Sequence, residues 1–179
     1  MQQLLDSNGM TEEQSIALYK SKNYPKPAVA ADIAVFWRNE NNVKILLIKR
    51  GGHPYIGRWA LPGGFTNENE PVEETAAREL EEESGVCGLP LKLVGVFSKP
   101  NRDPRDWIIT VAFTAVTETA PPIQAGDDAA EAKWFLVEKK NDELWLKSDD
   151  VSIKSDELAF DHNDMLKQAL NVTGLHNIL

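Results

Sequence analysis

A chain of 179 residues with 42% apolar and 26% charged side chains has an ordinary globular balance and enough length for one substantial core. Its 28 acidic and 19 basic residues leave a net charge of −9, which weighs against a phosphate-backbone binder, because that affinity comes from clustered Lys and Arg. No stretch approaches the roughly 20 apolar residues of a membrane helix, and MQQLLDSNGMTEEQ lacks the basic start and apolar core of a signal peptide.

The single Cys87 can form no internal disulfide, so a reducing, cytoplasmic setting is expected, with Cys87 as a small buried apolar group. No nucleic-acid or membrane partner is expected. Thr11 and Gln14 have capping-box spacing, predicting a short helix from residue 11 to about 24 that Pro25 and Pro27 stop. AVAADIAVFW (28–37) and VKILLIKR (43–50) are apolar and β-prone and flank the polar turn RNENN, which predicts a hairpin. GGHPYIG reads as a loop and RWALPGGF as one short strand running into a glycine turn. Residues 70–84 carry the strongest helix signal, with Pro71 in the first turn and Gly85 just past the end. Strands are expected over 89–98, 107–117 and 132–137, separated by the turn-rich KPNRDPRD and TETAPPIQAGDDAAE, and a last helix over 156–170. No repeat or linker divides the chain. This order predicts an α/β (α+β) fold, a mixed sheet with helices packed on it.

RELEEESG (78–85) concentrates four glutamates in eight residues. At about 100° per residue, Glu79, Glu82 and Glu83 share an arc of roughly 100°, while Ala76, Ala77 and Leu80 fall on a neighbouring arc suited to packing on the sheet. A solvated acidic face is thermodynamically cheap, because an exposed like-charge pair costs only about 0.2–0.5 kcal/mol. Clustered carboxylates also suit a hard divalent cation such as Mg²⁺ or Mn²⁺. Arg78 can reach both Glu82 and Glu70 and hold the glutamates in place.

The spacing around the cluster favours the cation. Gly64, five residues, Glu70, seven residues, Arg78, Glu79, Leu80, one residue, Glu82, Glu83, one residue, Gly85 and Val86 together resemble the Nudix hydrolase signature at every fixed position. The resemblance implies a Nudix α/β/α sandwich over 28–179, with 1–27 as an N-terminal helical extension. It implies that Glu82 and Glu83 carry most of the metal binding, that Glu79 is a ligand or a base, and that the Gly63 carbonyl joins them. The implied reaction is attack of activated water on a nucleoside diphosphate linked to a further moiety.

KILLIKRGGHPYIGRWALPGGF, SKPNRDPRDWIITVAF and LAFDHNDMLKQAL extend the likeness to the ADP-ribose-directed branch of that family, which includes the Nudix-related repressors of NAD metabolism. The implied substrate is ADP-ribose, cleaved to AMP and ribose 5-phosphate. Arg50 and Arg58 flank the loop before the glycine turn and offer phosphate contacts or surface ion pairs. Arg102, Asp103 and Arg105 offer ribose or phosphate contacts, though a polar turn uses the same residues. Asp127, Asp128 and Glu131 are candidates for a catalytic base in a late loop, as in some relatives; Glu131 is the one taken as catalytic. Trp59 and Trp134 read as core, and His53 and His162 as structural. The N-terminal helix would complete a homodimer interface or cover a sheet edge. The competing readings are a nucleoside triphosphate pyrophosphohydrolase and a non-catalytic ADP-ribose sensor. An intact signature, the negative charge and the short stretch after Leu170 favour an enzyme.

Overall fold

The structure, a computed structural model, describes residues 4–40, 42–126 and 128–179. The two apolar runs form β1 (Ala28–Arg38) and β2 (Val43–Arg50), antiparallel as the hairpin pattern predicts, with Phe36 opposite Ile45. They pair directly only near their turn. Further along, β4 (Gly63–Phe65) pairs with β1 and β3 (Trp59–Ala60) with β2, so the sheet forks. The single strand expected across RWALPGGF is thus two pieces. Pro62, which lacks an N–H to donate to a ladder, lies between them.

β5 (Lys92–Phe97), β6 (Ile108–Thr117) and β7 (Ala129–Lys140) correspond to the three later strands, β7 being longer at both ends than expected. β8 (Glu143–Lys147) and β9 (Ser152–Lys154) were not expected. The path β5-β6-β1-β2-β7-β8-β9 is antiparallel except for β1 beside β6, which makes the sheet mixed as predicted.

Alternation along the buried strands separates two layers. Ala31, Ile33 and Val35 of β1 pack with Leu46 and Phe113 against Ala76 and Leu80 of α2 (Val72–Ser84). Ala34 and Phe36 pack with Ile45, Leu47 and Phe135 against Met165, Leu166, Ala169 and Leu170 of α3 (His162–Thr173). Ala77, expected on the packed arc, is exposed. Cys87 is exposed as well, not a buried apolar group.

Helix ends differ from expectation in two places. α2 starts at Val72 with Pro71 as its N-cap, which leaves Glu70 outside the helix. The last segment is a 3₁₀ turn (Ser155–Glu157), then a break at Phe160, whose φ of 52° is incompatible with a continuous right-handed helix, then α3 running on to a left-handed Gly174. α1 (Glu12–Ser21) has the predicted capping box at Thr11 and Gln14 and buries none of its residues.

Candidate active site

At the fork of the sheet, between β1, β4, the C-terminal half of α2 and the loops around residues 51–53, 102–105 and 160, lies a cavity of about 340 Å³. That volume is within the range of nucleotide-sized ligand sites. Four of the five residues expected to contact substrate line it: Arg50, Arg102, Asp103 and Arg105. Arg58 does not; it is exposed, with its guanidinium 5.5 Å from the Tyr55 ring. From the signature, Gly63, Arg78, Glu79 and Glu83 face the cavity and Glu82 does not.

Arg78 organises the acidic helix. Its Nε and Nη2 donate to the Glu70 carboxylate at 2.8 and 3.0 Å, and its Nη1 to Glu79 at 2.7 Å and Glu82 at 2.8 Å. Nη2 also reaches the Phe65 carbonyl at 3.1 Å, tying the glycine loop to the helix. The bonds from Arg78, aided by the Asn67 N–H, hold the Glu70 carboxyl down to about 2. Such forked, charge-assisted contacts fix geometry as well as charge. A Cβ on Gly64 would overlap the Glu79 carboxylate, and one on Gly63 would overlap the Ala31 carbonyl and Asp32, so side chains are excluded at both glycines.

Glu83 is buried at 6% exposure, and its Oε2 accepts the Gly63 N–H at 2.8 Å. Burial is the main reason its carboxyl is pushed up to about 8; the Gly63 bond opposes this, and the Glu79 and Asp32 charges add to it. A cation beside Glu79 and Glu83 would remove that penalty, and oxygen donors alone suit a hard divalent ion. The residues fit such an ion at Glu79 and Glu83. The expected three-carboxylate cage, however, is not preassembled. Arg78 occupies Glu79 and Glu82, the Glu82 side chain is 43% exposed, and among the described residues no three Asp, Glu, His or Cys side chains gather closely enough to hold an ion.

Opposite the acids is a wall of cations and rings. The Arg105 guanidinium lies 4.7 Å from the Phe65 ring and 5.3 Å from Phe160, and Arg50 lies 5.0 Å from the same Phe160. Asp103 anchors Arg105 through Nη2 at 2.7 Å and Nε at 3.0 Å, and is held below the usual carboxylate range by those bonds although burial opposes it. Arg50 donates Nε to the Pro54 carbonyl at 2.7 Å. Burial lowers its pKa, and repulsion from Arg105 lowers it further. Two guanidiniums that repel each other across one ring form a ready site for an anion. Arg102 is already committed: Nε meets Asp161 at 2.8 Å and Nη1 meets Thr110 at 2.9 Å, with 4% of the side chain exposed.

Glu131 departs from its expected role. It lies on β7 away from the cavity, with Oε1 2.7 Å from Lys49 and Oε2 3.0 Å from Lys133. Asp128 lines the cavity instead. Its carbonyl accepts the Gly51 N–H at 3.0 Å, while Gln124 N donates to the Ser84 carbonyl at 2.9 Å, so the late loop is pinned to both the Arg50 loop and the end of α2. Asp127 lies outside the described residues. Trp59 is in the core, as read from the sequence; Trp134 is half-buried against Trp37.

The residues that sequence reasoning missed are Asp32, Phe65, Thr110, Phe160 and Asp161, and His162 was assigned a purely structural role. Asp32 had a signal, being a lone acid inside an otherwise apolar strand. The others depend on the fork and the break at Phe160.

The NUDIX domain family matches residues 26–155. The chain is 39% identical over 153 residues to an ADP-ribose pyrophosphatase of Methanocaldococcus jannaschii, an alignment covering 86% of this chain and 79% of that protein. A MutT/nudix family protein from Enterococcus faecalis superimposes with a TM-score of 0.81 at 34% identity, covering 92% of this chain and 70% of the other. The NUDIX domain of Shewanella oneidensis NrtR, solved in complex with ADP ribose, superimposes with a TM-score of 0.73 at 27% identity, covering 92% and 99%. With its signature helix, glycine loop and mixed sheet in the arrangement of these relatives, the chain belongs to the NUDIX domain family.

Proposed function

We propose that the protein hydrolyses ADP-ribose to AMP and ribose 5-phosphate. The observation that carries this reading is the meeting, in one cavity, of the α2 carboxylates Glu79 and Glu83 with the stacked guanidiniums Arg50 and Arg105. The 39% identical ADP-ribose pyrophosphatase supports the choice of substrate. Arg50 and Arg105 bind the diphosphate oxygens, and the ring of Phe65, 41% exposed at the cavity wall, offers a face to the adenine.

Glu79, Glu83 and the Gly63 carbonyl would hold a divalent cation, Mg²⁺ or Mn²⁺, with Glu82 beside them on the same helix. When bound, the ion supplies charge neutralisation at the diphosphate and a lower pKa for a coordinated water. Asp128, exposed on the cavity wall, accepts the proton of the attacking water. The new bond joins the water oxygen to one phosphorus, the bridging P–O bond breaks, and the departing phosphate takes the electron pair. Arg78 acts on none of these atoms; it positions Glu79.

The test is product analysis with Mg²⁺ across ADP-ribose, NADH, diadenosine polyphosphates and dNTPs, run on wild type, Asp128→Asn and Glu131→Gln. ADP-ribose should be preferred. Asp128→Asn should lower kcat by about 10²–10⁴-fold, as for loss of a general base, with Glu131→Gln within about twofold of wild type. Preference for dNTPs would refute the substrate, and the reverse order of the two variants would refute the base.

A further inference from the structure

The cavity contains a polar pair that the diphosphate chemistry does not use. Asp32 and His162 both line it, at 8% and 3% exposure, on two facing elements: Asp32 in the middle of β1, His162 at the first turn of α3. The Leu61 N–H donates to His162 Nδ1 at 2.9 Å, so the neutral ring carries its proton on Nε2. That Nε2 lies 3.8 Å from Asp32 Oδ1, beyond direct hydrogen-bond range. Asp32 is flanked from behind by Thr110, to which Arg102 Nη1 donates at 2.9 Å, and Asp161 holds Arg102.

A donor and an acceptor held at that spacing define their guest. An atom about 2.8 Å from each subtends an angle of about 85° between them, which bends each bond by only about 12° from the roughly tetrahedral directions of a group that accepts one hydrogen bond and donates another. A hydroxyl does both. An amino group on a base cannot accept, and a phosphate oxygen cannot donate. The exposed ring proposed above for the adenine, Phe65, lies elsewhere on the wall, which leaves the buried pair to the other end of the substrate.

We infer that Asp32 and His162 together hold one hydroxyl of the sugar at the non-nucleotide end of the substrate and so select a glycosyl group there. Nε2–H donates to the hydroxyl, and the hydroxyl donates to Oδ1. The inference rests on the ADP-ribose reading and adds to it the residues that discriminate among nucleoside diphosphate derivatives. A site built to bond a hydroxyl discriminates strongly against analogues lacking it, because its own buried groups are then left unpaired.

The test compares ADP-ribose with ADP methylated on its outer phosphate, which keeps the diphosphate and the adenosine but has no distal sugar. The variant is His162→Asn, whose side-chain oxygen can still accept the Leu61 N–H while Nε2–H is gone; Asp32→Ala is the second variant, removing the other half of the pair. Wild type should prefer ADP-ribose by at least about tenfold in kcat/KM. His162→Asn should lose about ten- to a hundredfold on ADP-ribose, mainly through KM, with the methyl ester unchanged within about twofold, and Asp32→Ala should lose at least about tenfold more on ADP-ribose than on the methyl ester. Equal loss on both substrates, as expected if the pair only holds a structural water, overturns the inference while leaving ADP-ribose hydrolysis intact. So does a wild type that cleaves the two equally well. Cleavage of neither, with dNTPs consumed, overturns the ADP-ribose reading and this inference together.

Discussion

Glu83→Gln separates the electrostatic cost of the acidic site from its chemistry. Burial, chiefly, pushes the Glu83 carboxyl up to about 8 in the folded protein, from 4.5 for the free side chain. With the folded pKa above the unfolded one, its contribution to stability is complete below about 4.5 and is lost as pH rises through about 8. Across that interval the metal-free protein should lose about 5 kcal/mol, and about 3 kcal/mol by pH 7, at about 1.4 kcal/mol per pH step. Glutamine keeps an oxygen for the Gly63 N–H but cannot ionise, so the variant escapes this loss. Urea unfolding in EDTA should therefore give wild type and Glu83→Gln similar stability at pH 5, and a variant more stable by several kcal/mol at pH 8.5. Millimolar Mg²⁺ should restore wild type at high pH and leave the variant unmoved. Unfolding free energies that stay parallel from pH 5 to 8.5 would refute the claim that Glu83 is ionised at a cost.

Two further outcomes follow from the groups around it. Arg78→Lys keeps the charge but loses the fork that spans Glu70, Glu79 and Glu82, so the Mg²⁺ concentration for half-maximal activity should rise about 10–100-fold, with far-ultraviolet circular dichroism unchanged. Gly126→Ala would place a Cβ 2.5 Å from the Glu82 carbonyl and drive the Asp128 loop off the end of α2; kcat should fall at least about tenfold, with substrate affinity measured by calorimetry in Ca²⁺ nearly unchanged.

Periodicity and local spacing carried most of the architecture. The β1–β2 hairpin, the α2 helix and the α1 capping box depend on neighbours in sequence, and each formed where its pattern lay. β8 was missed although Leu144 and Leu146 alternate as buried residues, because charged and polar segments enclose so short a run. At the site, the α2 residues were legible because i, i+3 and i+4 positions converge on any helix. Glu131 fits a late-loop base by chain position alone; it sits on β7, whose strand alternation turns its side chain toward Lys49 and Lys133. Asp32, Phe160 and His162 meet only because the sheet forks and α3 starts late, and no local rule encodes either event.

The left-handed turn at Phe160 constrains what this position can become. A bulky residue at a φ of 52° holds its backbone at a cost of about 1–3 kcal/mol, which glycine or asparagine would relieve. Either replacement would also strip the face on which both Arg50 and Arg105 rest. Greater robustness at this corner therefore comes only with a weaker grip on anions, and the two qualities trade against each other through a single side chain.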